Sequence, residues 1–223
     1  MDPAIVVRTA VLMLIAYLAG SIPVGVLVAR LSGGADPRTI GSGRTGGTNA
    51  LRALGRKRAA VVVTGDLLKG ALPVVFARYV TGGDPLTEVL CGGAAVAGAI
   101  WSVFVGFRSG RGVATGVGTM LVIEPIAVLL AAPVFLGVIL ITRYVSLGSL
   151  LGSAAMFPAM LLVLLVVPGT PLPYVLYTAF GATLIWVAHA DNIDRLLHGT
   201  ERKFDLGMLG GKRPGGETPG PPG

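Results

Sequence analysis

Two glycine-rich, cationic segments carry the residue types that hold phosphate. The first reads Gly41-Ser42-Gly43-Arg44-Thr45-Gly46-Gly47-Thr48-Asn49 and continues to Arg52; the second reads Phe107-Arg108-Ser109-Gly110-Arg111-Gly112-Val113-Ala114-Thr115. Bare backbone amides, small hydroxyls and guanidinium groups together bind anionic oxygens. The first segment is not a Walker loop, because no Gly-Lys-Ser/Thr closes it. In the second, Ser109-Gly110-Arg111-Gly112 runs into an apolar stretch, which predicts an anion nest at a helix N-terminus. Each loop also has a plain reading, as a connector or as an inner loop enriched in arginine by topology alone. The clustering of donors with cations favours anion binding.

Two other pairs could add chemistry. Asp66 and Lys69 stand three apart inside an apolar run, on one face of a helix. An intramembrane charge is costly and marks a functional site by default, although a self-neutralising pair could serve packing alone. Lys69 could reach toward phosphate. His189 and Asn192 are also three apart, at the end of the last apolar run, and histidine can take a proton near neutral pH. His198 reads as a surface residue. His189 and Asp194 match the His-x4-Asp spacing of another glycerolipid acyltransferase class, but nothing around them supports it. There is no Cys/His cluster with metal spacing and no serine nucleophile elbow.

The elements that must position these residues are membrane-length. Of 223 residues, 53% are hydrophobic and 13% are charged. Soluble domains carry about 25% charged residues. Residues 144 to 188 contain no Asp, Glu, Lys or Arg. A bilayer span needs only about 20 apolar residues. A net charge of +7 could suggest nucleic acid, but the cations sit in short loops between apolar runs, so no nucleic-acid partner is expected. The single Cys91 excludes an internal disulfide. Residues 9 to 29 form an uncharged run too long for a signal h-region.

The pattern predicts an all-α, polytopic integral membrane bundle. Its spans fall near 6–29 (with Ile22-Pro23 a candidate kink), 59–77, 88–106, 113–123, 126–142, 144–167 and 172–188. That makes about seven transmembrane segments, one of them short. The short stretch leaves a second arrangement open, five full spans plus re-entrant segments. With seven spans, 15 of the 18 Lys and Arg fall on one side. The positive-inside bias assigns that side to the cytoplasm, with the N-terminus outside and the C-terminus cytoplasmic. One membrane domain, 1–206, is expected, followed by a disordered Gly/Pro-rich tail, 207–223.

Several ordered motifs resemble the bacterial acyl-phosphate:glycerol-3-phosphate acyltransferases, the PlsY family, over about residues 10–206. Gly20-Ser21-Ile22-Pro23-Val24-Gly25 is similar to that family's first span. Ser42, Gly43, Gly46, Thr48, Asn49 and Arg52 match its Ser-Gly-Asn-x-Gly-Ala-Thr-Asn-x-x-Arg motif, and Asp66-Leu67-Leu68-Lys69-Gly70 its Asp-x-x-Lys-Gly. The 107–115 loop is similar to Phe-Lys-Gly-Gly-Lys-Gly-Val-Ala-Thr. Arg143-Tyr144-x-Ser146-Leu147 and the segment from His189 through Asn192 to Glu201 also resemble family segments. The chain departs from the pattern at Arg44 (usually Asn), Arg108 and Arg111 (Lys), Ser109 (Gly), Ala99 (commonly His) and Ala190 (Arg).

The resemblance implies transfer of a fatty acyl group from acyl phosphate to the sn-1 hydroxyl of glycerol 3-phosphate, giving 1-acylglycerol 3-phosphate and phosphate in the bacterial inner membrane, at a site facing the cytoplasm. It implies catalytic roles for Ser42, Arg52, His189 and Asn192. It implies substrate binding by Gly43, Thr48, Asn49, Lys69, Arg108, Gly110, Arg111, Gly112, Thr115 and Ser146, with the acyl tail in an apolar groove between spans. His189 is the candidate for hydroxyl activation, and a substrate phosphate oxygen is the other. No metal or cofactor is expected; the partners are glycerol 3-phosphate, acyl phosphate and membrane lipid. An organic-phosphate transporter and a catalytically weakened lipid-binding relative are the alternatives.

Overall fold

The computed structural model describes residues 2–205 and 207, so the expected Gly/Pro tail lies outside the described residues apart from Gly207. The order is α1 Pro3–Ser21, α2 Val24–Leu31, α3 Gly47–Leu54, α4 Arg56–Thr81, α5 Pro85–Ile100, α6 Val113–Ile123, α7 Pro125–Thr142, α8 Val145–Val166, α9 Leu172–Ala188 and α10 Ala190–Leu197. No strand occurs among the described residues. Five helices, α1, α4, α5, α7 and α8, are long and apolar enough to cross a bilayer, and α9 with α10, bent by 64°, passes the same test as a pair.

All seven expected stretches are helical, with two qualifications. The first is broken rather than continuous. Pro23 has no N–H and forces Ile22 into an extended conformation, ψ 117°, so α1 stops at Ser21 and α2 starts afresh. The short stretch is α6, of 11 residues. At about 1.5 Å per residue it rises about 16 Å, half of a bilayer core of about 30 Å.

Helix starts follow the local chemistry. Asp2, Asp84 and Glu124 each precede a proline at the first helical position and accept a hydrogen bond from a first-turn amide. α1 packs on α5, α4 on α5 and α6, α7 on α8, and α8 on α9. Glycine sets the α4–α6 approach. A Cβ on Gly70 would collide with the Thr115 carbonyl and one on Gly118 with the Leu67 carbonyl, so the two backbones touch. That contact brings Asp66 and Lys69 against the 110–115 segment.

Candidate active site

A cavity of about 340 Å³ lies where the 41–52 loop, the start of α6, the middle of α4, the start of α8 and the α9–α10 bend converge. It is bordered by twelve of the expected residues: Ser42, Thr48, Asn49, Arg52, Lys69, Gly110, Arg111, Gly112, Thr115, Ser146, His189 and Asn192. Two expected residues do not border it. Gly43 has φ 68° and donates its amide to the Ile40 carbonyl, so it makes the turn rather than the wall. Arg108 is exposed, because the turn through Phe107 (φ 59°) directs it away while Arg111 alone faces inward.

Two helices begin at this cavity. The first-turn amides of an α-helix have no partner within it. Gly47 and Thr48 of α3, and Val113, Ala114 and Thr115 of α6, border the cavity. Gly112 reaches φ 76° to start α6, and neither helix has a side-chain cap. The loop before α6 is folded back onto α5, with Ser109 and Gly110 donating their amides to the Ile100 and Ala99 carbonyls.

Charge in the cavity is lopsided. Arg44, Arg52, Lys69, Arg111, Arg195 and Arg202 border it, against Asp66 and Glu201. Lys69 Nζ is 2.8 Å from Asp66 Oδ1 and donates to the Ile22 carbonyl at 3.2 Å, so it also ties α4 to the broken first span. Arg52 has no hydrogen bond or ion pair among the described residues; burial pulls its pKa down. Arg111 Nη2 donates to Asp191 Oδ2 at 2.9 Å, yet its buried Nε–H has no partner. Burial lowers the Arg111 pKa too, with Asp191 opposing.

His189 is buried at the bend. Its Nδ1 is 2.7 Å from the Ile185 carbonyl. A carbonyl can only accept, which assigns the proton to Nδ1 and leaves Nε2 as an acceptor. Burial pushes its pKa down to about 4, so it is neutral near pH 7. Asn192, 3% exposed, donates Nδ2 to Glu201 Oε1 at 2.7 Å, and its buried Oδ1 is left without a partner. Asn49 is different. Its amide donates to the Pro37, Ile40 and Arg44 carbonyls, and its Oδ1 accepts from the Ser42 amide. With its polar atoms engaged by backbone, Asn49 shapes the loop from within.

Several contributors are not among the residues expected above. Glu201 gathers Ser146 Oγ (2.8 Å), Asn192 Nδ2 (2.7 Å) and Arg195 Nε (2.7 Å). Burial works to raise its pKa, but these donors outweigh it and hold the carboxylate below its ordinary value. Asp191 collects Arg111, Arg195 at 3.3 Å and Arg44 at 3.9 Å. Thr45 Oγ1 and Ser109 Oγ, 3.0 Å apart and buried, join the two glycine loops. Glu201 is visible in the sequence as part of a motif; the Asp191–Arg111 pair and the Thr45–Ser109 hydroxyl pair have no signal there, because they form across 80 and 64 positions. A second, apolar cavity of about 240 Å³ lies among α6, α7, α8 and α9 and shares Val113, Val117, Phe135 and Ser149 with the first.

The profile of the glycerol-3-phosphate acyltransferase family matches residues 10–199. The chain is 46% identical to the glycerol-3-phosphate acyltransferase of Thermus thermophilus over 195 residues, covering 86% of this chain and 93% of that protein. It is 41% identical to glycerol-3-phosphate acyltransferase 3 of Dehalococcoides mccartyi, covering 90% of this chain and 98% of that protein. Crystal structures of PlsY (YgiH), an integral membrane glycerol 3-phosphate acyltransferase, superpose with a TM-score of 0.83 in the glycerol 3-phosphate form and 0.80 in the lysophosphatidic acid form. Both are 36% identical and cover 92% of this chain and 100% of theirs.

Proposed function

The chain belongs to the glycerol-3-phosphate acyltransferase family, and on that premise we propose that its polar cavity joins glycerol 3-phosphate to an acyl group delivered as acyl phosphate. The observation that carries the reading is one of chemical match. Arg111 and Asn192 border the polar cavity, each with a buried polar atom (Nε and Oδ1) that has no protein partner, and that cavity shares Val113, Val117, Phe135 and Ser149 with an apolar one. A phosphate ester with a free hydroxyl takes the two polar atoms, and a fatty acyl chain takes the apolar cavity.

Arg111 and the first-turn amides of α6 hold the phosphate of glycerol 3-phosphate. Ser42, Arg52 and the first turn of α3 hold the acyl phosphate. His189 Nε2 accepts from the attacking hydroxyl, and Asn192 Oδ1, oriented by Glu201, accepts from the neighbouring hydroxyl of glycerol 3-phosphate. The attacking hydroxyl oxygen bonds to the acyl carbon, the carbon–oxygen bond to phosphate breaks, and the attacking hydroxyl's proton ends on the departing phosphate. With a pKa of about 4, His189 is a weak base, which favours an aligning role for it and a phosphate oxygen as final proton acceptor. Six bordering cations against Asp66, Glu201 and the Asp191 that three of them share leave an excess of three positive charges, which offsets the repulsion between two phosphates. The site faces the cytoplasm of the bacterial inner membrane, on the cation-rich side, with the N-terminus outside.

The test is direct. Purified protein in nanodiscs, given palmitoyl phosphate and glycerol 3-phosphate, should release phosphate and lysophosphatidic acid in equal amounts, and neither without glycerol 3-phosphate. Labelled glycerol 3-phosphate crossing liposomes with no phosphate release would replace this reading with the transporter.

A further inference from the structure

We propose that Gly181 sets how long an acyl chain the site accepts, a proposal that rests on the apolar cavity being the acyl seat. Tyr177, Gly181 and Ile185 recur every four residues along α9 and all border that cavity, so they form one stripe facing it. Tyr177 and Ile185 are buried, whereas Gly181 leaves a notch: a Cβ built there meets nothing within 4 Å. Helix packing does not demand this glycine. On the facing α8, Gly152 is committed, since its Cβ would lie 2.8 Å from the Phe135 Cβ. Glycine in a helix interior is less stable than alanine, so this position keeps open space at a cost to its helix.

The notch lies at a defined depth. Ile185 is one turn from His189, Gly181 two turns and Tyr177 three, which places Gly181 about 12 Å along the helix from the reacting end. Beyond it, the Tyr177 hydroxyl, 2.7 Å from Thr119 Oγ1, closes the wall. A chain entering past Val113 and Val117 therefore runs beside Gly181 before it reaches Tyr177. A larger side chain there fills the notch and removes room for the distal carbons, while leaving room for those nearest the phosphate.

The experiment compares palmitoyl phosphate with hexanoyl phosphate as donors for the Gly181→Ala, Gly181→Val and Gly181→Leu enzymes in nanodiscs. The palmitoyl-to-hexanoyl turnover ratio should fall in that order, by about tenfold or more for leucine. A ratio that stays flat across the series overturns the proposal, whether total activity is kept or lost. Ala132→Phe, on the α7 wall of the same cavity, separates the two levels of failure. If it shifts the ratio while the Gly181 series does not, the acyl seat stands and the role of Gly181 falls. If neither shifts it, the apolar cavity is not the acyl seat.

Discussion

The two ends of the bundle treat buried charge in opposite ways. At the far end, Glu88 is 1% exposed and closed on itself: Arg78 donates to both carboxylate oxygens, at 2.9 and 2.7 Å, and the Tyr174 hydroxyl adds a third bond at 2.9 Å. At the cavity end the polar groups are left incomplete. Arg111 Nε, Asp191 Oδ1 and Asn192 Oδ1 are buried without hydrogen-bond partners, and Arg52 makes no ion pair among the described residues. A buried charge by itself therefore does not mark a site, since both ends have one. Three of the four unpartnered buried side-chain atoms among the described residues, all but Ser21 Oγ, cluster at the cavity end, and leaving a buried donor or acceptor unmade is costly unless a partner completes it.

The largest test of that contrast is Arg111→Ala. Removing the donor should lower kcat/KM by about 10²–10³-fold, chiefly through a higher KM for glycerol 3-phosphate. An unchanged KM would detach the 107–112 loop from that substrate. Next comes Glu88→Gln at the closed end, which should cost about 1–3 kcal/mol of stability, read as a lower thermal midpoint in detergent. The fraction that remains folded should keep its specific activity; a loss of turnover at equal folding would give the far end a part in the reaction. The smallest effect is expected for Ser109→Ala. Losing one buried hydroxyl pair between the loops costs about 1 kcal/mol, or roughly fivefold in KM. Thr45→Ser, which keeps the hydroxyl, should change little, and a double variant of Ser109→Ala with Thr45→Val should be no worse than Ser109→Ala alone.

Much of the helix order was legible because local rules govern it. Apolar runs of bilayer length, proline at helix starts and glycine or proline at breaks need no tertiary information, and the 144–188 run and the stop at Glu124-Pro125 follow from them. The break at Ile22-Pro23 was legible as a kink; that it separates two helices follows from the missing amide and from Lys69 supplying a donor to the Ile22 carbonyl. The residue types of the candidate site were also readable, since glycine loops with arginines announce anion chemistry wherever they sit. Which of those residues face inward was not. Arg108 and Arg111 are three apart in one loop, and only the turn at Phe107 decides between them.

Hydropathy, charge and motif spacing are properties of short stretches, so the chain written as letters already establishes a helical membrane protein and singles out two cationic glycine segments as candidates for anion binding. The division of labour among the polar residues emerges only once the helices are packed. Asn49 is consumed by its own loop, whereas Asn192 keeps a free carbonyl because Glu201, nine residues on, takes its amide. Asp191 reaches an arginine 80 positions away, and Thr45 meets Ser109 across 64. Hydrogen bonds are satisfied or left open by neighbours in space, and those neighbours are set by how the helices pack.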